Sequence, residues 1–396
     1  MGRSYDRDNF YVYGPTDLTQ IEVDWNNEEH RRCITACLVK GTYILESEHQ
    51  IRRKEEGKGK FAAAWWENFH FRLHHVLQSE CNCVCCKIRR RLELSDQSTI
   101  RSFVYGAIFE YVPPDDVKNR RRHPSAPRFV VAFRGTMPRD ATAVGDMRLN
   151  LMVLLNRQRF CSRFTEARKH VISLLSSIPP PPPAAAGGSG GRAVAGGGTA
   201  NSNSVGVWLA GHSLGASIAL YVGRDMVTTR GCSLPTFLFN PPHVSAAPLI
   251  DAAVMSSEAA KMYLYMSSYV IKCVLGMTFL KSHRKDMEKL FEQLSPWVPN
   301  LYVHRKDIIC KGFIDYFEQR EKAKELSTRV GNSAATLSYR DMVYSVFNKH
   351  SGRQHLLPCA VLWISHGDNP HALRQWWRPT GPEQDLRRQE YSWTLR

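Results

Sequence analysis

The stretch VGVWLAGHSLGA, residues 205–216, decides the fold class of this chain. Val205 to Leu209 is a short apolar run that reads as a buried strand. It leads into Gly211-His212-Ser213-Leu214-Gly215, and Ala216 to Met226 then reads as a helix rich in small and aliphatic residues. A serine between two glycines at this spacing suits a sharp strand-to-helix turn. The glycines leave room for a strained backbone and for a closely packed helix, and the turn exposes the serine hydroxyl. With glycine near 7% of residues, the bare pattern arises by chance roughly once in eight chains of this length. The strand before it and the helix after it make it informative, since the chemistry needs both.

Outward from this stretch, further short apolar runs appear. Phe129 to Phe133, FVVAF, has the continuous apolar look of a strand buried on both faces, as in a parallel sheet. Ser102 to Val112, Pro235 to Phe239 and Asn300 to His304 are also strand candidates, while Leu149 to Leu175 reads as helix. Alternation of strands and helices over some 250 residues predicts an α/β fold with a mostly parallel central sheet flanked by helices. The chain is expected to form a single domain over 1–396. Residues 1–100 read as a helical region with a cysteine-rich insertion, its clearest helix being Ala62 to Leu77 with Trp66, Phe69 and Leu73 on one side.

Two segments interrupt this pattern. Residues 178–204 carry five consecutive prolines, Pro179 to Pro183, and then alanine, glycine and serine; such a stretch buries too little apolar area to offset its ordering entropy, so it reads as a disordered surface loop. Residues 246–298 read as a helical lid-like insertion. Within them Met262 to Leu280 is strongly apolar, but Lys272 near its centre argues against a bilayer span. A packed core helix and an acyl-chain pocket or lid are both compatible with it.

Bulk properties add limits. The N-terminus, MGRSYDRDN, has no apolar stretch of the kind that directs secretion, and Asp6 stands where a myristoylation signal needs Ser or Thr. Eleven cysteines without a secretory leader suggest reduced thiols in a cytoplasmic protein. The formal net charge of +16 comes largely from short runs such as Lys87 to Arg91 and Lys118 to Arg122. Such runs are usually solvated loops, so no nucleic-acid partner is expected, though contact at a membrane periphery fits the charge. Cys81 to Cys86, CNCVCC, is too compact for two-pair zinc spacing, and no metal site is assigned.

A serine nucleophile needs an acid and a histidine after it in the chain. Asp307, at the end of the strand-like Tyr302 to Lys306, is the candidate acid, with Asp315 as the fallback. His355, His366 and His371 are all late enough to serve as the base, and spacing does not choose among them. His212 and His304 read as structural neighbours. Leu214, directly after the nucleophile, and Thr136, at the end of Phe133-Arg134-Gly135-Thr136, are the candidate oxyanion-hole residues.

With these residues named, the chain resembles the lipase class 3 family of α/β-hydrolases, and within it a plant subgroup labelled GDSL esterase/lipase-like. No Gly-Asp-Ser-Leu occurs here. The matching pieces are Tyr105 to Tyr111, Phe133 to Thr136, Trp208 to Ala216, Phe239-Asn240-Pro241-Pro242, His304 to Asp307 and Gln375-Trp376-Trp377. The resemblance implies Ser213 as nucleophile, Asp307 as acid and Thr136 as oxyanion residue. It also favours His371, four positions before Gln-Trp-Trp, although Arg374 departs from a second histidine common in the subgroup. The implied activity is hydrolysis of acyl esters, lipids foremost, through an acyl-enzyme and without a cofactor. The rivals are acyl transfer or thioester hydrolysis at the same site, and ligand binding on a hydrolase fold without turnover.

Overall fold

The computed structural model describes residues 23–54, 64–80, 102–113, 123–135, 162–178, 206–243, 281–326, 356–367, 369–378 and 386–393. Cys81 to Cys86, residues 179–204 and Met262 to Leu280 lie outside the described residues, as do Thr136 and His355.

Eight strands form one sheet in sequential order. They are β1 (Phe71–Glu80), β2 (Ser102–Tyr111), β3 (Phe129–Phe133), β4 (Val207–His212), β5 (Thr236–Phe239), β6 (Asn300–His304), β7 (Ala360–Ser365) and β8 (Leu386–Tyr391). Strands β3 to β7 run parallel, and an antiparallel pair at one edge and a single antiparallel strand at the other complete the sheet. The parallel interior is apolar on both faces, as FVVAF and VWLA predict.

Helices α2 (Ser162–Ser177), α3 (Leu214–Arg230), α4 (Lys281–Leu294) and α5 (Lys311–Leu326) lie between consecutive parallel strands. Steps in one direction with right-handed crossovers put all of these helices on the same face. The packing agrees: Phe164 and Val171 of α2, Ile218 and Val222 of α3, Leu294 of α4, and Phe313 and Phe317 of α5 share a core with Val131, Leu209, Val303 and Leu362 of the sheet. The opposite face is covered by α1 (Glu28–Lys54) and by the short α6 (Arg374–Trp377). There Trp25, Leu38, Trp376 and Trp377 meet Ala132, Trp208, Phe239 and Tyr302.

One expectation needs correction. Ala62 to Leu77 does not form a helix. Trp65–Phe69 is a single 3-10 turn, His70 reverses the chain at φ 60°, and β1 follows. The i, i+3 spacing of Trp66 and Phe69 belongs to that turn, and Leu73 is already in a strand paired with Phe109. Pairing with β2 along its whole length outweighs a weak local helix preference. For the 246–298 insertion, only its last part is described; α4 is a packed helix that buries Met287, Phe291 and Leu294.

The two faces make separate cores. Phe109 lies under Trp66 on the α1 face, and Phe317 lies in the core on the other, four strands away. Each Phe→Ala substitution should cost about 3–5 kcal/mol, measured by urea unfolding. At a separation of roughly 19 Å across the sheet, their effects should add to within about 0.5 kcal/mol; a larger discrepancy would mean that the faces are not independent.

Candidate active site

Ser213 sits directly after β4 with φ 53° and ψ −124°, a backbone conformation that side chains rarely adopt. Such strain costs on the order of 1–3 kcal/mol and persists only where the surroundings enforce it. Those surroundings are close. The Ser213 N–H donates to the Phe239 carbonyl of β5 at 2.9 Å. A Cβ on Gly211 would collide with the Gly215 backbone, and one on Gly215 with the Phe133 and Arg134 carbonyls. Both glycines of the motif therefore answer to backbone-to-backbone contact, and the start of α3 lies against the end of β3.

The sheet gathers the other groups in the same way, each from the C-terminal end of a neighbouring parallel strand. Gly135 follows β3, Asn240 follows β5, Asp307 follows β6, and His371 is on the segment after β7. His371 Nε2 lies 3.0 Å from Ser213 Oγ, and its Nδ1 lies 2.8 Å from Asp307 Oδ2. Ser213, His371 and Asp307 thus form one hydrogen-bonded series of hydroxyl, imidazole and carboxylate. Such a series can move a proton from hydroxyl to imidazole while the carboxylate holds the ring.

Asp307 is buried, with 3% of its surface exposed. Burial alone would raise its pKa. The hydrogen bond and charge of His371, the Ile309 N–H and the Asn240 amide outweigh that and hold it below the ordinary carboxylate value. The Cys310 thiol also rests against Asp307 Oδ2, at 3.2 Å. Asn240 is fully buried at φ 47° and uses its whole side chain here. It donates to Asp307 Oδ2 at 2.7 Å and to the Pro370 carbonyl at 2.8 Å, and it accepts from Trp376 Nε1 at 2.6 Å. Gln375 donates to the carbonyls of Asn369, Pro370 and Ala372, on either side of His371. The Asn240 and Gln375-Trp376 matches thus hold the acid and the His371 segment in one frame.

Of the other histidines, His304 binds the Gly367 carbonyl and the Lys306 N–H, and exposed His366 ends β7. Asp315 lies within α5. Leu214 opens α3, so its N–H precedes any intrahelical acceptor. The Ala216 and Ser217 N–H groups are already directed to the Ser213 carbonyl. Thr136 is outside the described residues, but Gly135, just before it, stands so close that a Cβ there would lie 2.8 Å from Ser213 Cβ. Arg134 anchors this loop: it binds the Val104 and Gly135 carbonyls and pairs with buried Glu46 of α1 at 3.8 Å. Asn240, Cys310 and the α1 groups went unassigned from sequence; a polar residue closing the apolar run of β5 just before two prolines was the visible sign for Asn240.

Because the folded pKa of Asp307 is depressed, its contribution to stability is present above the unfolded value, about 3.9. It is lost as pH falls through the folded value. The stability difference between wild type and Asp307→Asn should therefore begin to shrink as pH falls below about 4 and shrink further through the folded value. Urea titrations at several pH values check this; a gap that stays constant to pH 3 would contradict it.

No family model matches the chain, and no solved structure matches it. Among curated proteins, a GDSL esterase/lipase of Arabidopsis thaliana is 31% identical over 390 residues, covering 94% of this chain and 95% of the relative. The chain belongs to this GDSL esterase/lipase-like family.

Proposed function

We propose that the chain is a serine carboxylic-ester hydrolase of the α/β-hydrolase type, with Ser213 as nucleophile, His371 as base and Asp307 as acid. The observation that carries this reading is the unbroken series from Ser213 Oγ through His371 to Asp307, at 3.0 and 2.8 Å, on a serine of strained backbone. The order serine, aspartate, histidine along the chain and the strand–turn–helix around Ser213 support the α/β-hydrolase type. The printed name of the Arabidopsis relative supports an ester substrate.

In the proposed cycle His371 Nε2 takes the proton of Ser213 as its oxygen attacks the ester carbonyl. Asp307 holds His371 Nδ1–H and stabilises the imidazolium. The Leu214 N–H and Thr136 receive the negative oxygen of the tetrahedral intermediate. Its collapse expels the alcohol, which leaves with the proton from His371, and an acyl group remains on Ser213. Water then attacks with His371 again as base, releasing the acid and restoring the serine. Protons and electron pairs balance among these groups, so the cycle uses no cofactor.

An apolar acyl group suits the rim beside the acid. Ile308, next to Asp307, is 84% exposed, and Ile309 is 37% exposed. In this reading the pair offers an apolar surface, next to Asp307 in the chain, on which an acyl group can lie. We place the protein in the cytoplasm, with Cys33, Cys37, Cys232, Cys310 and Cys359 as free thiols. Among the described residues no helix is long and apolar enough to cross a membrane.

A fluorophosphonate probe should label the wild type, and Ser213→Ala and His371→Ala should abolish labelling. A folded wild type that stays unlabelled would mean that the serine is not activated, and ligand binding without turnover would replace the hydrolase reading. Ile308→Asp should raise KM for p-nitrophenyl decanoate by about tenfold, the loss of roughly 1.4 kcal/mol of apolar contact, and change p-nitrophenyl acetate little. Equal effects on both esters would remove Ile308 from the acyl site.

A further inference from the structure

A chain of hydrogen bonds runs behind Ser213 from the β3 loop to the segment that carries His371. The Gly135 N–H donates to Tyr43 Oη at 2.7 Å, Tyr43 Oη lies 2.8 Å from His212 Nδ1, and His212 Nε2 lies 3.1 Å from the His371 carbonyl. The position of each proton follows from these partners. A carbonyl only accepts, so His212 Nε2 carries a hydrogen. Burial keeps this imidazole neutral, with its pKa lowered to about 3, so Nδ1 presents a lone pair. The one hydroxyl proton of Tyr43 therefore goes to Nδ1, and its oxygen accepts the Gly135 N–H. Every donor points the same way, from the Gly135 loop toward His371. Bonds aligned in this manner polarise one another.

Tyr43 is a residue of α1, and it reaches this place because α1 packs across β2, β3 and β4. The fit leaves no slack. A Cβ on Gly135 would come within 2.6 Å of Tyr43 Oη and 2.8 Å of the His212 carbonyl. The ring of His212 lies against those of Tyr43 and His371, with centroids 6.0 and 5.0 Å away. The relay therefore joins an element outside the parallel strands to the two loops on either side of the nucleophile.

We propose that Tyr43 and His212 are positioning residues that lock the Gly135 loop and the His371 segment into one register about Ser213. The proposal rests on the serine-hydrolase reading above. Neither side chain meets the acyl group or takes part in a bond-making step. The Gly135 loop, which leads to Thr136, and the His371 ring act on the same tetrahedral carbon. Their spacing matters because a displacement of about 1 Å in such a constellation costs on the order of 10²-fold in rate.

The test uses the full chain, with Tyr43→Phe, His212→Gln and the double variant, assayed on p-nitrophenyl butyrate and with the fluorophosphonate probe. Phe keeps the ring and removes the hydroxyl. Gln can place its amide N–H where His212 Nε2 stood, toward the His371 carbonyl, but its oxygen sits on the same terminal carbon and leaves the position of Nδ1, opposite Tyr43, without an acceptor. Each single variant should lower kcat by about tenfold, a partial displacement on the scale above, while KM stays within about twofold. Because both variants break the Tyr43–His212 link of one series, the double variant should lose little more than the worse single. Two results overturn the relay alone: a Tyr43→Phe enzyme with wild-type kcat, or a double variant whose loss is the product of the singles. Near-UV circular dichroism checks folding, and should Tyr43→Phe misfold, His212→Gln with unchanged kcat overturns it as well. A folded wild type that neither hydrolyses the ester nor takes the probe overturns the serine-hydrolase reading, and the relay with it.

Discussion

The organising constraint is the approach of α3 to the end of β3. For Ser213 to stand out from the sheet, the chain must turn within one residue and enter a helix immediately. That brings the Gly215 backbone against the Phe133 and Arg134 carbonyls and the Gly211 backbone against Gly215. No side chain fits in either place. The turn also forces Ser213 into φ 53°. Local sequence does not stabilise such a residue. It is held by β5 through the Phe239 carbonyl and by the β3 loop, where Gly135 meets its Cβ. Both neighbours of β4 are therefore needed to hold Ser213 in this conformation.

Around this turn the site is assembled from strand ends, and its parts are joined by buried polar groups that are almost fully used. Asn240 links Asp307, the Pro370 carbonyl and Trp376. An amide suits this role because it offers donors to two oxygens and an acceptor to one N–H, and the left-handed backbone it adopts is one that asparagine tolerates. A buried group satisfied on every side resists displacement, since moving it leaves several partners unpaired at once. The clamp thus fixes the distance between Asp307 and His371 without either needing a rigid local backbone.

How much of this was legible in the sequence depends on where the information lies. Strands buried on both faces announce themselves as unbroken apolar runs, and β3 and β4 were readable for that reason, while β2 and β6 were read from alternating, β-branched or aromatic residues. The edge strands were not. β8, LRRQEY, exposes half of its residues and carries no apolar run, and β1 follows a 3-10 turn whose spacing mimics a helix. The interior run of β7, AVLWIS, has the same apolar character as its neighbours but went unread. The same division holds at the site. Ser213 is local, because its turn needs glycines at fixed offsets. Asp307 could be proposed from its place at a strand end. His371 was chosen among three histidines by resemblance, since the two residues are 158 positions apart and the distance between them is set by the fold.

Tyr43 shows the limit most clearly. Nothing in the α1 sequence marks it out, because its role arises only when α1 crosses the sheet and brings the hydroxyl between a backbone N–H and an imidazole. His212 was visible as the second residue of the glycine–serine motif, but its chemistry was not. A histidine exposed to solvent would titrate near neutrality, whereas burial lowers this one to about 3 and turns it into a neutral connector with one donor and one acceptor. The same burial that removes His212 from acid–base work leaves it able to bridge Tyr43 and the His371 carbonyl. A second charged imidazole 5.0 Å from His371 would repel the imidazolium that the proposed cycle forms there. Holding His212 neutral therefore serves both position and charge.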